Sequence, residues 1–168
     1  RKHFDRLVRL LGSGAISHGG QIDPNTLRIS PTILTDVDWD SPVMQEEVFG
    51  PILPVLTYRS LDEAIARIQA RPKPLALYLF TRDAATEKRV LGEVSFGGGC
   101  INDTVLHLAT SHMPFGGVGE SGMGGYHGKY SFDTFSHQKS VLKRLARPDV
   151  ALRYAPYGQK LRQLKRLM

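Results

Sequence analysis

Between Ile52 and Asn102 short apolar runs alternate with amphipathic stretches, and this alternation limits the fold more than any other feature of the chain. Ile52–Tyr58 is apolar and rich in strand formers. Ser60-Leu61-Asp62-Glu63 has capping-box spacing, in which the Ser60 oxygen accepts from a free helix amide and Glu63 reaches back. Ala64, Ile65 and Ile68 then share a helical face that stops before Pro72, since proline lacks the amide a helix interior needs. Leu75–Phe80 is a continuous apolar run, as in a strand covered on both faces. Asp83 can cap a second helix over 84–94 with Val90, Leu91 and Val94 inward, and 98–102 forms a third strand. Strand–helix–strand–helix–strand predicts parallel strands with right-handed crossovers, hence a layered α/β sheet. Three strands make a thin sheet, which points to neighbours beyond this sequence.

The flanks are less regular. Phe4, Leu7, Val8 and Leu11 recur at helical spacing, and Gly12 can stop that helix. An amphipathic helix at the first residue, with no starting Met, reads as part of a longer chain. The apolar run 28–34 is interrupted by Pro31 and predicts an irregular or edge strand. From Pro114 to Gly128 seven of fifteen residues are glycine. A loop that surrenders so much backbone freedom on folding has a geometric role. Phe132 and Phe135 follow in a short helix, and Ser140–Leu142 reads as a strand. Pro148 and Pro156 mark an extended crossing to a last helix with Leu161, Leu164, Leu167 and Met168 on one side.

Charge and cysteine content narrow the function classes. The net charge of +6 is concentrated in residues 139–168, which hold nine basic residues and one acid. The preceding 138 residues hold 13 basic against 15 acidic residues, so a body-wide nucleic-acid surface is unsupported. A single cysteine, Cys100, excludes a disulfide framework and a CxxC zinc site. No apolar stretch approaches a membrane span, and the first residues do not form a signal peptide. The expectation is a cytoplasmic, reducing setting.

Four features can carry chemistry. Gly117-Val118-Gly119-Glu120-Ser121-Gly122 matches GxGxxG. However, Pro114 precedes it, Gly124 and Gly125 follow, and no acid lies about 20 residues on, so a loop passing close to other backbone is favoured over a phosphate cradle. Cys100 lies in a probable strand after three glycines with no adjacent base, and reads as an inert thiol rather than a nucleophile. The six histidines lack metal-ligand spacing, so no metal is expected; His127 stands out because it closes the glycine loop beside Tyr126. Gln45–Pro51 (QEEVFGP) places two acids, an aromatic residue and Gly-Pro at a sharp turn before a strand. A carboxylate there can accept from a diol such as a ribose, and a ring two residues on can lie against a flat heterocycle. A plain surface turn is an equal reading of these residues.

Taken in order, five segments resemble the aldehyde dehydrogenase superfamily: QEEVFGP (45–51), KPLALYLF (73–80), SFGGGCIND (95–103), MPFGGVGESGMGG (113–125) and YHGKYSFDTFSH (126–137). The last resembles the class 3 branch, which includes bacterial coniferyl aldehyde dehydrogenases. The resemblance implies a layered, parallel-sheet portion of that family's catalytic domain over 1–138, an oligomerisation strand over 139–146 used in a homodimer, and a basic tail over 147–168. It implies oxidation of an aldehyde, aromatic such as coniferyl aldehyde or medium-chain, to a carboxylic acid through a cysteine thiohemiacetal, with NAD or NADP. By the same match Glu47 holds the nicotinamide ribose and Phe49 packs near the nicotinamide. Phe115 lines the aldehyde pocket, with His127, Leu108 and Ala109 as weaker members.

The family's Gly-Gln-x-Cys nucleophile, its Glu-Leu-Gly-Gly glutamate, its oxyanion-hole asparagine and its Rossmann domain have no match here, and Cys100 does not stand in the nucleophile's setting. The sequence is therefore expected to be a C-terminal part with no catalytic residue of its own, inactive as 1–168 alone. The basic tail is expected to cover a pocket mouth or partner subunit, to fray in solvent, or to touch a membrane surface through its Lys/Arg-rich and apolar faces. The competing readings are a non-catalytic binding or regulatory module with the same fold, and a basic-tail binder of nucleic acid or membrane.

Overall fold

A computed structural model describes residues 1–145, 147, 154–158 and 160–167. Pro148 and the side chains of Leu164, Leu167 and Met168, invoked above for the tail, lie outside the described residues. The first helix, α1 (Lys2–Leu10), buries Phe4, Leu7 and Leu10, and Leu11 continues that stripe into a 3₁₀ turn that holds Gly12. Leu7, Leu10 and Leu11 pack on Leu34, Val43 and Ile52 to form one core.

Four strands follow: β1 (Ala15–His18), β2 (Ile22–Asp23), β3 (Arg28–Ile29) and β4 (Thr32–Thr35), then β5 (Ile52–Pro54). β2 and β3 make a small antiparallel hairpin. β4 runs antiparallel to β1 and parallel to β5. The run 28–34 is therefore irregular, as expected, split into β3 at an edge of its hairpin and β4, which is not an edge strand. Pro31 falls between β3 and β4, where neither ladder needs its missing amide, and β4 becomes the central strand. Leu34 is completely buried as a result.

The expected alternation appears as β5, α2 (Leu61–Gln69), β6 (Ala76–Leu79), α3 (Ala84–Glu93) and β7 (Gly98–Ile101). β6 and β7 are parallel, in register from Ala76↔Gly98 to Leu79↔Ile101. β5 joins β4 instead of β6, so the three strands do not share one sheet among the described residues. Both helix caps form. Ser60 Oγ accepts from the Glu63 amide at 3.2 Å, and Glu63 reaches one residue further than expected, to the Arg59 amide at 2.8 Å. Asp83 accepts from the amides of Ala85 (3.2 Å) and Thr86 (2.9 Å).

Ile65, Val90 and Val94 form the second core, with Leu77, Leu79 and Phe96 against them. Leu91 was expected inward but is 47% exposed: it lies one residue past Val90, a 100° turn away from the core face. The 75–80 run is not covered on both faces either. Leu77 and Leu79 face the core, while Tyr78 and Phe80 remain exposed.

The chain then leaves regular structure for two 3₁₀ turns, Leu106–Leu108 and Gly119–Ser121, before α4 (Gly128–Phe135). Phe132 and Phe135 sit on that helix but are exposed. Ser140–Leu142, expected as a strand, pairs with no strand among the described residues. The last described helix is α5 (Lys160–Leu167). No helix among the described residues is long and apolar enough to cross a membrane.

Candidate functional site

The turn at 45–51 is seated by Val43, buried in the 3₁₀ turn just before it. Its two acids behave differently. Glu46 forms an ion pair with Arg6 Nη1 at 3.1 Å. Glu47 is exposed, and its carboxylate has no hydrogen-bond or ion-pair partner among the described residues. Three consecutive carbonyls of the turn, those of Glu47, Val48 and Phe49, are occupied from α1. Arg6 Nη1 donates to the Glu47 carbonyl at 3.0 Å, and Arg6 Nη2 donates to that of Val48. His3 Nε2 lies 2.9 Å from the Phe49 carbonyl. Phe49 itself has φ +45°, a left-handed backbone rarely held by a bulky residue, and its ring is 78% exposed. The segment thus offers a carboxylate and a bare ring on a fixed frame.

The second constellation is built of rings. Phe115 and Tyr126 exchange two backbone hydrogen bonds, each 3.0 Å, which clamps the ends of the glycine loop. The Phe115 ring stacks with His127 at 6.0 Å and 26°, and Tyr126 meets it edge-on at 5.6 Å. His127 is oriented by its own amide, which donates to Ser131 Oγ (2.9 Å), and by Nδ1, 3.4 Å from the Thr110 carbonyl. His107 extends the cluster, 5.8 Å from both Phe115 and Tyr78. Leu108 and Ala109 follow His107 on an exposed turn, outside the ring cluster. No hydrogen bond or ring contact among the described residues joins this cluster to the 45–51 turn.

Sequence reasoning missed three residues. Arg6 and His3 sit one helical turn apart on the polar side of α1, where nothing local distinguishes them from solvated charges; the residues they hold are 40 or more positions away. His107 is buried, and its Nδ1 lies 3.6 Å from Cys100 Sγ. Contrary to the sequence expectation, Cys100 therefore has a base beside it: the turn after β7 folds His107 back over the strand.

The GxGxxG match is not a phosphate cradle. Gly119–Ser121 is a single 3₁₀ turn with no strand before it and no α-helix directly after. A Cβ on Gly117 would stand 2.1 Å from the Ser121 carbonyl oxygen, so the loop needs glycine for close approach of its own backbone. Ser121 Oγ accepts from the Val118 amide and donates to the Val118 carbonyl, both at 3.0 Å. Backbone amides, its own first and then that of Lys73, hold the Glu120 carboxyl below the usual range. Among the described residues no group of His, Cys, Asp or Glu can hold a metal ion.

Comparison with known proteins places this geometry. The model of the aldehyde dehydrogenase family matches residues 8–141. The chain is 55% identical to 4,4'-diaponeurosporen-aldehyde dehydrogenase of Staphylococcus aureus, over 98% of this chain and 36% of that protein. It is 53% identical to aldehyde dehydrogenase family 3 member H1 of Arabidopsis thaliana, over 99% of this chain and 35% of that protein. A solved structure of Staphylococcus aureus AldH in its substrate-bound state superposes with a TM-score of 0.93 at 55% identity, covering 99% of this chain and 37% of that one. The chain thus spans about a third of the length of the curated relatives it matches.

Proposed function

This chain belongs to the aldehyde dehydrogenase family, and from that premise we propose that it forms one wall of the redox cleft of an NAD(P)-dependent, class 3-like enzyme that oxidises an aldehyde to a carboxylic acid. The observation that carries the reading is the split between neighbouring acids: Arg6 neutralises Glu46, while Glu47 stands free on the same fixed turn. A free, exposed carboxylate is the acceptor a ribose diol requires, and the bare Phe49 ring beside it suits a flat heterocycle. The residues present therefore fit a nicotinamide cofactor, which supplies the hydride acceptor. In this reading Glu47 fixes the ribose and Phe49 limits how the ring can tilt. Phe115 and His127 form an aromatic side for the aldehyde, with Leu108 and Ala109 at its exposed margin. The attacking thiolate belongs to residues outside the 168, so 1–168 alone does not turn over aldehyde. Residues 139–146 supply the oligomerisation strand of a homodimer. The substrate is an aromatic aldehyde of the coniferyl type or a medium-chain aldehyde.

The test is Glu47→Gln in the full-length enzyme. Charged hydrogen bonds contribute about 1.5–3 kcal/mol, so hydride transfer should fall by roughly 10- to 100-fold while thioester formation is largely spared. Kinetics equal to wild type in both steps would remove Glu47 from the ribose.

A further inference from the structure

We propose that Arg6 and His3 are positioning residues for the nucleotide ribose: together they lock the 46–49 turn so that only the Glu47 carboxylate and the Phe49 ring are left to meet the cofactor. The inference rests on the assignment of Glu47 made above. Its basis is that four consecutive residues are held from one face of one helix. Arg6 pairs with the Glu46 carboxylate through Nη1 at 3.1 Å and donates from the same nitrogen to the Glu47 carbonyl at 3.0 Å. Its second nitrogen, Nη2, donates to the Val48 carbonyl. Nη2 also lies 3.3 Å from His3 Nδ1, and His3 Nε2 lies 2.9 Å from the Phe49 carbonyl. These contacts select one tautomer. With Nδ1 accepting from Arg6, the ring proton sits on Nε2 and is donated to Phe49.

Three physical consequences follow from that arrangement. The planar guanidinium fork spans several acceptors at once, which a lysine ammonium cannot do. Arg6 cancels the charge of Glu46, so Glu47 is left as the turn's uncompensated carboxylate. The left-handed Phe49 (φ +45°) is a conformation that persists only where its surroundings over-determine it, and the His3 bond to its carbonyl supplies that restraint. A free turn would pay ordering entropy each time the cofactor bound; a turn already held does not.

The experiment uses the full-length enzyme with whichever of NAD and NADP it turns over. Cofactor Kd is measured by calorimetry, and aldehyde KM, kcat and melting temperature are measured beside it, for Arg6→Ala, Arg6→Lys, His3→Ala and Glu47→Gln. Arg6→Ala is expected to weaken cofactor binding about tenfold and His3→Ala about threefold, with aldehyde KM unchanged. Arg6→Lys should recover only part of the loss, because it restores charge without the fork. A merely structural role would lower the active fraction, cutting kcat at unchanged cofactor Kd, and that result overturns the proposal. So does wild-type cofactor affinity in both Arg6→Ala and His3→Ala while Glu47→Gln binds weakly; the ribose assignment then stands alone. If Glu47→Gln also binds like wild type, the ribose assignment and this inference fall together. Should Arg6→Ala fail to fold, the exposed His3→Ala decides by the same measurement.

Discussion

Replacing Gly128 by alanine separates two effects that usually arrive together. Gly128 has φ +48°, and a Cβ built there would lie 2.1 Å from the Ser111 carbonyl oxygen. The left-handed backbone alone disfavours alanine by about 1–2 kcal/mol. The Ser111 carbonyl must also retreat by roughly 1 Å, and overpacking of that kind adds about 1–3 kcal/mol. Two other glycines isolate the contributions. Gly124 has φ +75° but nothing within 4 Å of the added carbon, so Gly124→Ala should show only the backbone effect. Gly12 has open space and no positive φ, so Gly12→Ala should be neutral or stabilising by up to about 1 kcal/mol. Melting temperatures of the full-length variants at one scan rate should rank Gly12→Ala at or above wild type, then Gly124→Ala, then Gly128→Ala. The aldehyde KM should rise for Gly128→Ala alone, because its neighbour His127 stacks on Phe115. A Gly128→Ala enzyme no less stable than Gly124→Ala would refute the steric argument.

Two further outcomes are expected. Leu34→Ala opens a cavity at a completely buried position in the central strand β4 and should destabilise by about 2–5 kcal/mol in denaturant unfolding; a loss below about 1 kcal/mol would mean the core collapses around the site. The Thr86 side-chain hydroxyl first, then the amides of Thr86 and Ala85, hold the Asp83 carboxyl below its ordinary 3.8. Its pKa is depressed in the folded state, so its stabilisation is complete above pH 3.8 and fades as pH falls through the lower, folded value. Asp83→Asn should therefore be less stable than wild type at neutral pH and indistinguishable from it in strong acid; a gap that widens on acidification would reverse the sign of that argument.

How far the sequence could be read depended on the range of the interactions involved. The caps at Ser60 and Asp83 and the stripes Phe4–Leu7 and Val90–Val94 were legible because their partners lie within a turn or two. Leu91 misled because an apolar residue beside a true core position looks the same in one dimension. β1 and β2 carry no apolar periodicity, being exposed along their lengths, and went unread. The partner of β5 was misjudged because pairing is decided by a strand some 20 residues upstream, not by the helix that follows it. In the candidate site, Glu47, Phe49, Phe115 and His127 were named by family resemblance, and only the last two are brought into contact here. The Arg6 frame and the His107–Cys100 contact were invisible, since each joins groups whose local sequence looks ordinary.

β6 and β7 hydrogen-bond only to each other among the described strands, and β5 has a partner on one side only. Their outer rims carry no strand partner among the described residues, and such an edge is a template that an extended peptide can zip onto. Made by itself at high concentration, this polypeptide would offer that template to its own copies, and inclusion bodies or fibrils are the natural product. Co-expression with a second polypeptide carrying complementary strands would turn the same stickiness into a driving force for reassembly, as in split-protein reconstitution.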